Sequence, residues 1–195
     1  MAVYRLDGME LRISDHPDVY EPSEDTILLL GALGEAEGHA LELGTGSGMV
    51  AISLARRCLD VVATDVNPHA LVLARANARR NGVAIETVRA DMFDGIKGRF
   101  DTIVFNPPYL PTGPDDTTGD RWLDASVNGG PDGLQFTRRF LAGLNERLSG
   151  RGRAYVVSSS LSGFPRCLPA GLVGRVVVTA KLEFESLDVH RIERS

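Results

Sequence analysis

The groups best suited to chemistry lie in a four-residue loop, Asn106-Pro107-Pro108-Tyr109. The prolines lack backbone N–H donors and restrict the chain, so the loop presents acceptors: the Asn106 side-chain oxygen and the Pro107 carbonyl. A planar NH2 group has two hydrogens for two such acceptors, and holding both aims the nitrogen lone pair. Tyr109 adds a flat stacking face. The loop predicts a site that positions an amide or amine nitrogen; a proline-stiffened turn is the alternative.

A glycine-rich turn precedes this loop in the chain. Residues 42–48, Glu-Leu-Gly-Thr-Gly-Ser-Gly, follow a predicted strand at 39–43 and open a predicted helix. Glycines such as Gly44 and Gly46 allow a sharp bend and close approach of the backbone to a ligand. Asp65 ends the next predicted strand, 21 positions after Gly44 (65 − 44), as suits a carboxylate that binds ribose hydroxyls. The turn predicts a nucleoside site; a structural strand-to-helix turn is the alternative.

The details of the turn favour S-adenosylmethionine (SAM) over NAD. The dinucleotide fingerprint Gly-x-Gly-x-x-Gly needs glycine where this chain has Met49, and the last glycine comes one residue early, at Gly48. Glu42 would repel a pyrophosphate and attract a ligand that carries an ammonium and a sulfonium. After a later strand, Asp91 is a candidate acceptor for the adenine amino group, with Met92 packed on the ring. A helix cap or turn is the alternative role for Asp91.

Short apolar strands alternate with longer helical stripes around these motifs, which predicts an α/β fold with a mostly parallel sheet. The last two strands are close enough to form an antiparallel hairpin. Helices are predicted after Ser23, after the glycine turn, from Pro68 to Asn81-Gly82, and at about 131–148. Residues 106–130 are predicted to form an irregular functional loop, and 161–173 a turn. The seven predicted strands are 39–43, 60–64, 84–89, 100–105, 152–158, 174–183 and 186–193.

Length and composition set the remaining expectations. The 195 residues suit one domain, with 1–22 as an N-terminal extension and 23–195 as the domain itself. The net charge of -5 argues against a nucleic-acid substrate. Neither a signal-peptide pattern nor a membrane-spanning apolar run is visible, so we predict a cytoplasmic protein with no membrane partner. Cys58 and Cys167 are predicted to be reduced, partly buried thiols.

Two further features carry predictions of their own. The four histidines are expected to form no cluster, so no metal site is predicted. Trp122 is predicted to anchor its loop, with stacking on the substrate as the alternative. The histidines are His16, His39, His69 and His190.

Together the motifs resemble the HemK-type N-methyltransferases, which have the class I SAM-dependent (Rossmann-like) fold. Residues 18–26, Asp-Val-Tyr-Glu-Pro-Ser-Glu-Asp-Thr, are similar to the eukaryotic and archaeal branch, which includes an enzyme once described as an N6-adenine methyltransferase. The resemblance implies methylation of the glutamine in the Gly-Gly-Gln motif of class I release factors, with S-adenosylhomocysteine as the other product. It implies catalytic roles for Asn106, Pro107 and Tyr109, and cofactor contacts by Thr26, Glu42, Gly44, Gly46, Asp65, Asp91, Met92 and Asn106.

The resemblance also implies a partner. Enzymes of this branch work with a small zinc-binding activator that docks on the edge strand, here residues 84–89 with Ile85 and Val88 available for contacts. From the residues alone, Glu86 and Arg89 suit an ordinary protected edge. Three rival functions stay open: methylation of a nucleobase amine (N6 of adenine or N2 of guanine), methylation of a protein lysine, and a non-catalytic SAM-binding scaffold.

Overall fold

The computed structural model describes residues 1–6, 8–57, 59–113 and 116–195. Its strands are β1 (Ala2–Leu6), β2 (Met9–Ile13), β3 (His39–Leu43), β4 (Asp60–Asp65), β5 (Glu86–Arg89), β6 (Phe100–Phe105), β7 (Leu148–Ser159), β8 (Leu172–Lys181) and β9 (Ser186–Arg194). Its α-helices are α1 (Glu24–Ala32), α2 (Met49–Arg56), α3 (Pro68–Arg80), α4 (Arg121–Val127) and α5 (Gln135–Arg147).

Seven strands form one sheet in the order β5-β4-β3-β6-β7-β9-β8. The pairs from β5 to β7 are parallel, and β9 runs antiparallel between β7 and β8. This confirms the predicted α/β fold and its C-terminal antiparallel hairpin. The chain leaves β3 in one direction toward β5 and returns to β6 on the other side of β3. Ligands of such sheets bind beyond the carboxyl ends of the strands at this switch point, here between β3 and β6.

Alternation along β3 shows how both faces of the sheet are covered. Ala40 belongs to a buried cluster with α1, α2 and β2, whereas Leu41 and Leu43 belong to a second cluster with α5. Successive side chains of a strand point to opposite faces, so a strand buried on both sides is apolar on both. Within α5, Phe140 and Leu144 are fully buried against the second face. Burial on both faces fixes the register of the strands that carry the motifs.

The N-terminal segment packs onto the sheet domain through the antiparallel pair β1–β2. Leu11 and Ile13 of β2 are buried in the first cluster. Two asparagines hold this hairpin in place: Asn77 lies within α3, and Asn81 is its C-cap residue. Asn81 Oδ1 accepts a hydrogen bond from the backbone N–H of Arg12, and Asn77 Oδ1 accepts one from that of Ser14, both at 2.9 Å. The division at residue 22 stays a prediction.

The segment from 106 to 130 is not irregular throughout, because it contains α4. The side chain of Asp120 caps this helix by accepting from the N–H groups of Trp122 and Leu123, at 2.8 and 3.1 Å. None of its seven residues is fully buried, so no apolar stripe marked it in the sequence. The predicted turn at 161–173 is confirmed as far as Gly171, and β8 begins at the next residue, Leu172.

Several boundaries differ from the predicted ones by a few residues, as terminal turns of elements commonly do. The regular pairing of β5 covers only 86–89, and β7 already begins at Leu148. Cys167 is exposed rather than partly buried, and Cys58 lies outside the described residues. Within the described part of the chain, every helix is too short or too polar to cross a bilayer.

Candidate active site

A cavity of about 500 Å³ opens at the carboxyl ends of β3, β4 and β6. The glycine turn and the Asn-Pro-Pro-Tyr loop both line it, because the parallel strands that precede them end at the same edge of the sheet. The structure therefore places every residue that was predicted to bind the cofactor or to take part in catalysis around one cavity. The roles of the individual residues stay predictions. The predicted residues that line the cavity are Thr26, Glu42, Gly44, Gly46, Asp65, Asp91, Met92, Asn106, Pro107 and Tyr109.

Asp65 anchors the glycine turn as well as facing the cavity. Its Oδ2 accepts from the N–H of Gly46 and its Oδ1 from the N–H of Asn67, both at 2.9 Å. Burial raises the pKa of Asp65, and these backbone hydrogen bonds oppose the rise. Gly48 has φ +82°, and a Cβ there would lie 2.8 Å from that of Ala74. Glycine at this position therefore lets α2 approach α3 closely.

Glu42 is a buried carboxyl group on the cavity wall. Its Oε2 accepts from the Thr45 hydroxyl at 2.6 Å and from the Ala51 N–H at 3.1 Å. Burial outweighs these bonds and raises the pKa of Glu42 from 4.5 to about 8, with a smaller contribution from the charge of Asp65. A cation held beside Glu42 would favour the ionised carboxylate. The cavity thus contains a group whose charge suits an ammonium ligand.

The raised pKa of Glu42 predicts a pH-dependent stability in the ligand-free protein. Between pH 4.5 and about 8 the native state binds more protons than the unfolded state, so stability falls as the pH rises through this window. Glu42→Gln keeps the hydrogen-bond acceptor and removes the titration. We expect the variant to gain stability relative to wild type across the window, by on the order of a few kcal/mol. Urea unfolding without SAM measures it.

The control for this experiment is Glu86→Gln, because Glu86 is exposed on the sheet edge. Its pH profile should run parallel to that of wild type. A parallel profile for Glu42→Gln as well would mean that Glu42 is ionised throughout the window.

The Asn-Pro-Pro-Tyr loop carries a buried side-chain oxygen that lacks a partner among the described residues. The Oδ1 atom of Asn106 is buried and makes no hydrogen bond with any residue that the structure describes. Buried acceptors are almost always paired, so an unpaired one that borders a cavity indicates a ligand donor as its partner. This matches the predicted use of that oxygen as an acceptor for an NH2 group.

Asp25 holds the far end of this loop, a role that the sequence alone did not predict. Its Oδ2 accepts from the Tyr109 hydroxyl at 3.2 Å, and its Oδ1 from the Thr26 N–H at 2.6 Å. Burial and the nearby charge of Asp25 raise the pKa of Tyr109. Asp25 therefore joins the start of α1 to the Asn-Pro-Pro-Tyr loop. Its place inside the family-like segment 18–26 was the available signal.

The opposite wall is formed by residues that directly follow β5 and by residues of α4 and α5. Asp91 forms an ion pair with Arg139, 3.0 Å apart, so the proposed adenine acceptor already has a basic neighbour that sequence reasoning missed. Met92 adopts φ +54°, an uncommon conformation for a residue other than glycine, at the cavity edge. The indole of Trp122 is half-buried and lines the cavity. Its position supports the stacking alternative beside the predicted role as an anchor.

The prediction that the histidines form no cluster is wrong for two of them. The rings of His16 and His69 stack with their centroids 5.1 Å apart, and Asp18 lies beside both. These residues are distant in sequence and meet because the N-terminal segment crosses the start of α3. The ring of His39 stacks on Phe100 instead.

The charges on the cavity wall suit a cationic ligand. Among its described lining residues, Arg139 is the one basic side chain, and it is paired with Asp91. The acidic ones are Asp25, Glu42, Asp65 and Asp91. In a sheet of this strand order, a glycine turn, a carboxylate at the end of the next strand and a buried acid fit SAM. The fold and the site therefore define a class I SAM-dependent methyltransferase.

Comparison with known proteins agrees. Residues 10–125 match the family model described as the methyltransferase small domain. A Methanocaldococcus jannaschii protein, provisionally named a protein N5-glutamine methyltransferase, is 37% identical, covering 96% of each chain. The mouse methyltransferase HEMK2 is 37% identical, covering 91% of each. In the solved Mtq2–Trm112 complex of E. cuniculi, responsible for methylation of the eRF1 translation termination factor, the similar chain is 30% identical with a TM-score of 0.71. The match covers 91% of this chain and 99% of that one.

The matches to these relatives cover nearly the whole chain. The chain belongs to the HemK-type family of N5-glutamine methyltransferases, enzymes that depend on SAM.

Proposed function

We propose that this protein methylates the side-chain amide nitrogen of the glutamine in the Gly-Gly-Gln motif of a class I release factor. The observation that carries the proposal is the buried, unpaired Oδ1 of Asn106 on the cavity wall. Beside the carbonyl of Pro107 it makes a pair of neutral acceptors for the two hydrogens of an amide NH2 group. Similar proteins named for methylation of release factors support the substrate.

The residues of the chain divide the work between positioning and binding. Asn106 and Pro107 orient the amide nitrogen, and Tyr109 and Trp122 provide flat faces along the substrate path. SAM supplies an electrophilic methyl group on its sulfonium, which Glu42 and Asp65 help to hold. The amide nitrogen would bond to this methyl carbon as the carbon–sulfur bond breaks, which would leave S-adenosylhomocysteine, and the nitrogen would lose one proton to water. The rigid loop supplies rate by orientation rather than by a strong base.

A lysine substrate fits this site less well than an amide. A lysine ammonium must lose a proton before it can accept a methyl group, which calls for a general base. No histidine is present among the described residues that line the cavity, and Glu42 and Asp65 are assigned to the cofactor. A nucleic-acid substrate is disfavoured by the net charge of -5 and the acidic cavity.

The test of the proposal is incubation with isotope-labelled SAM and a purified release factor. DNA, tRNA and histone serve as parallel substrates. We expect label on the release factor alone, and mass spectrometry should place it on the glutamine of the Gly-Gly-Gln motif as N5-methylglutamine. A release factor with glutamate at that position should stay unlabelled. A methyl group on a lysine or a nucleobase would overturn the substrate and retain the enzyme class.

We further propose that a small zinc-binding activator docks on the edge of the sheet at residues 84–89, and that the protein works in the cytoplasm with its substrate. In support, β5 ends the sheet and pairs only with β4 among the described strands. Its free backbone groups suit strand addition by another chain. The similar Mtq2 is in complex with Trm112.

Substitution of Ile85 by lysine tests this interface. Ile85 is half-buried beside β5 and packs partly against the first core cluster, so a charge there should raise the dissociation constant of the complex at least tenfold. Co-purification and calorimetry with a Trm112-type partner measure it. Val176→Lys on the opposite edge strand β8 is the control, since it places the same charge at an exposed aliphatic residue of the other sheet edge. A lone protein that is monodisperse and fully active would make the partner unnecessary.

A further inference from the structure

Three metal-ligating side chains meet beside the cofactor cavity and have no part in the methyl-transfer site. They are His16 and Asp18 from the N-terminal segment and His69 from the first turn of α3. One nitrogen of each imidazole and one carboxylate oxygen lie within 4.8 Å of one another. Asp18 Oδ2 is 3.8 Å from His16 Nδ1 and 3.8 Å from His69 Nε2.

The backbones that carry these side chains are held together by a buried asparagine, Asn67. Its Nδ2 donates to the carbonyl of Asp18 at 2.6 Å, and its Oδ1 accepts from the N–H of His69 at 2.9 Å. A turn closed by the bond from the Val19 N–H to the His16 carbonyl, at 3.0 Å, brings His16 and Asp18 to the same side. The cluster is therefore built on a fixed frame, as a binding site requires.

We propose that His16, Asp18 and His69 bind a divalent transition-metal ion of the zinc type. Two imidazole nitrogens and one carboxylate oxygen are a ligand set that zinc uses, with a fourth position left for water. Tetrahedral zinc at its usual bond lengths needs ligand atoms about 3.3 Å apart. The side chains of His16, Asp18 and His69 are each more than a third exposed. Small rotations of these side chains would bring their ligand atoms to this distance. Magnesium and calcium prefer all-oxygen sets.

The orientation of the His16 ring suits metal binding. Its Nδ1 accepts a hydrogen bond from the backbone N–H of Asp18 at 3.2 Å, so this nitrogen faces the residue that supplies the carboxylate ligand. A metal binds a ring nitrogen through its lone pair. A bound ion would replace this hydrogen bond to His16 Nδ1.

The position of the site gives the metal a structural effect. Val19 and Tyr20 directly follow Asp18 and line the cofactor cavity. An ion bound by all three ligands would tie this strap, residues 14–20, to the start of α3. The strap would then open less often over the cavity.

Calorimetric titration of the full chain with zinc chloride, in the absence of SAM, tests the proposal independently of the methyltransferase function. We expect one bound ion per chain. Zinc at one hundred times its dissociation constant should raise Tm by roughly 5–10 °C. Amide hydrogen exchange across residues 14–20 should slow when zinc is added.

The variants separate this site from other zinc ligands. His69→Ala and Asp18→Ala should each weaken zinc binding at least tenfold and remove the effect on exchange. His39→Gln, which removes a histidine beside Asp60 at the other end of the sheet, and Cys167→Ser, which removes the exposed thiol, should bind zinc like wild type. Absence of zinc binding to wild type, or undiminished binding by both His69→Ala and Asp18→Ala, would overturn the proposal.

Discussion

Replacement of Asn106 by alanine is expected to lower turnover at least a hundredfold, while the free energy of unfolding changes by less than about 1 kcal/mol. The two expectations have the same cause. The Oδ1 atom of Asn106 is buried and unpaired among the described residues, so its removal takes away no hydrogen bond within that part of the chain. It does remove an acceptor that holds the substrate nitrogen. A residue that mattered only for folding would show the opposite pattern.

Steady-state kinetics with saturating SAM and release factor, together with urea unfolding, measures both quantities. SAM affinity should stay within a few-fold of wild type, because the role assigned to Asn106 is toward the acceptor nitrogen. Asn145→Ala is the matched control, since Asn145 near the end of α5 is partly buried, lies outside the cavity lining, and its side chain donates to the carbonyl of Ala170. Wild-type turnover in Asn106→Ala would exclude the proposed role, and a scaffold that binds SAM without catalysis would then be the better account.

Loss of the Asp65 carboxylate should have the second largest effect, on cofactor binding. We expect Asp65→Ala to weaken SAM binding by roughly 1.5–3 kcal/mol, the range for charge-assisted hydrogen bonds, which is about 10- to 150-fold. Two contributions add in the same direction. The variant loses the proposed acceptor for ribose hydroxyls, and it releases the N–H of Gly46, so the glycine turn is held less firmly.

Calorimetry with SAM and, separately, with NAD decides this prediction. Asp60→Ala is a control on the same strand, because Asp60 begins β4, is exposed, and pairs with His39 far from the cavity. Its SAM affinity should equal that of wild type. Tight binding of NAD, or an unchanged SAM affinity in Asp65→Ala, would refute the assignment of the nucleoside site.

The ligand-binding half of the site could be predicted from local patterns. Glycines before a helix and an acid at the end of the next strand depend on spacing along one βαβ unit, and spacing is directly legible in a sequence. The same holds for Asn106 after the apolar strand β6. Their common location followed from one rule of parallel sheets, that ligand sites lie at the carboxyl ends of the strands.

The contacts of Asp25 and the composition of the far wall were not legible in the same way. Asp25 lies 84 positions from Tyr109, and their hydrogen bond exists only once α1 has docked beside the loop. The helix α4 buries no residue fully, so hydrophobic periodicity could not reveal it. Arg139 faces Asp91 because α5 packs on the second face of the sheet.

The sequence by itself determined the fold class and predicted the nucleoside site and the residues of the catalytic loop, because each depends on short-range spacing and on burial periodicity. Only the tertiary structure decided which atoms remain unpaired, how burial raises the pKa of Glu42, and that His16 and Asp18 meet His69. Those properties arise from desolvation and from contacts between segments dozens of residues apart. Neither desolvation nor long-range contact leaves a local pattern in a single chain.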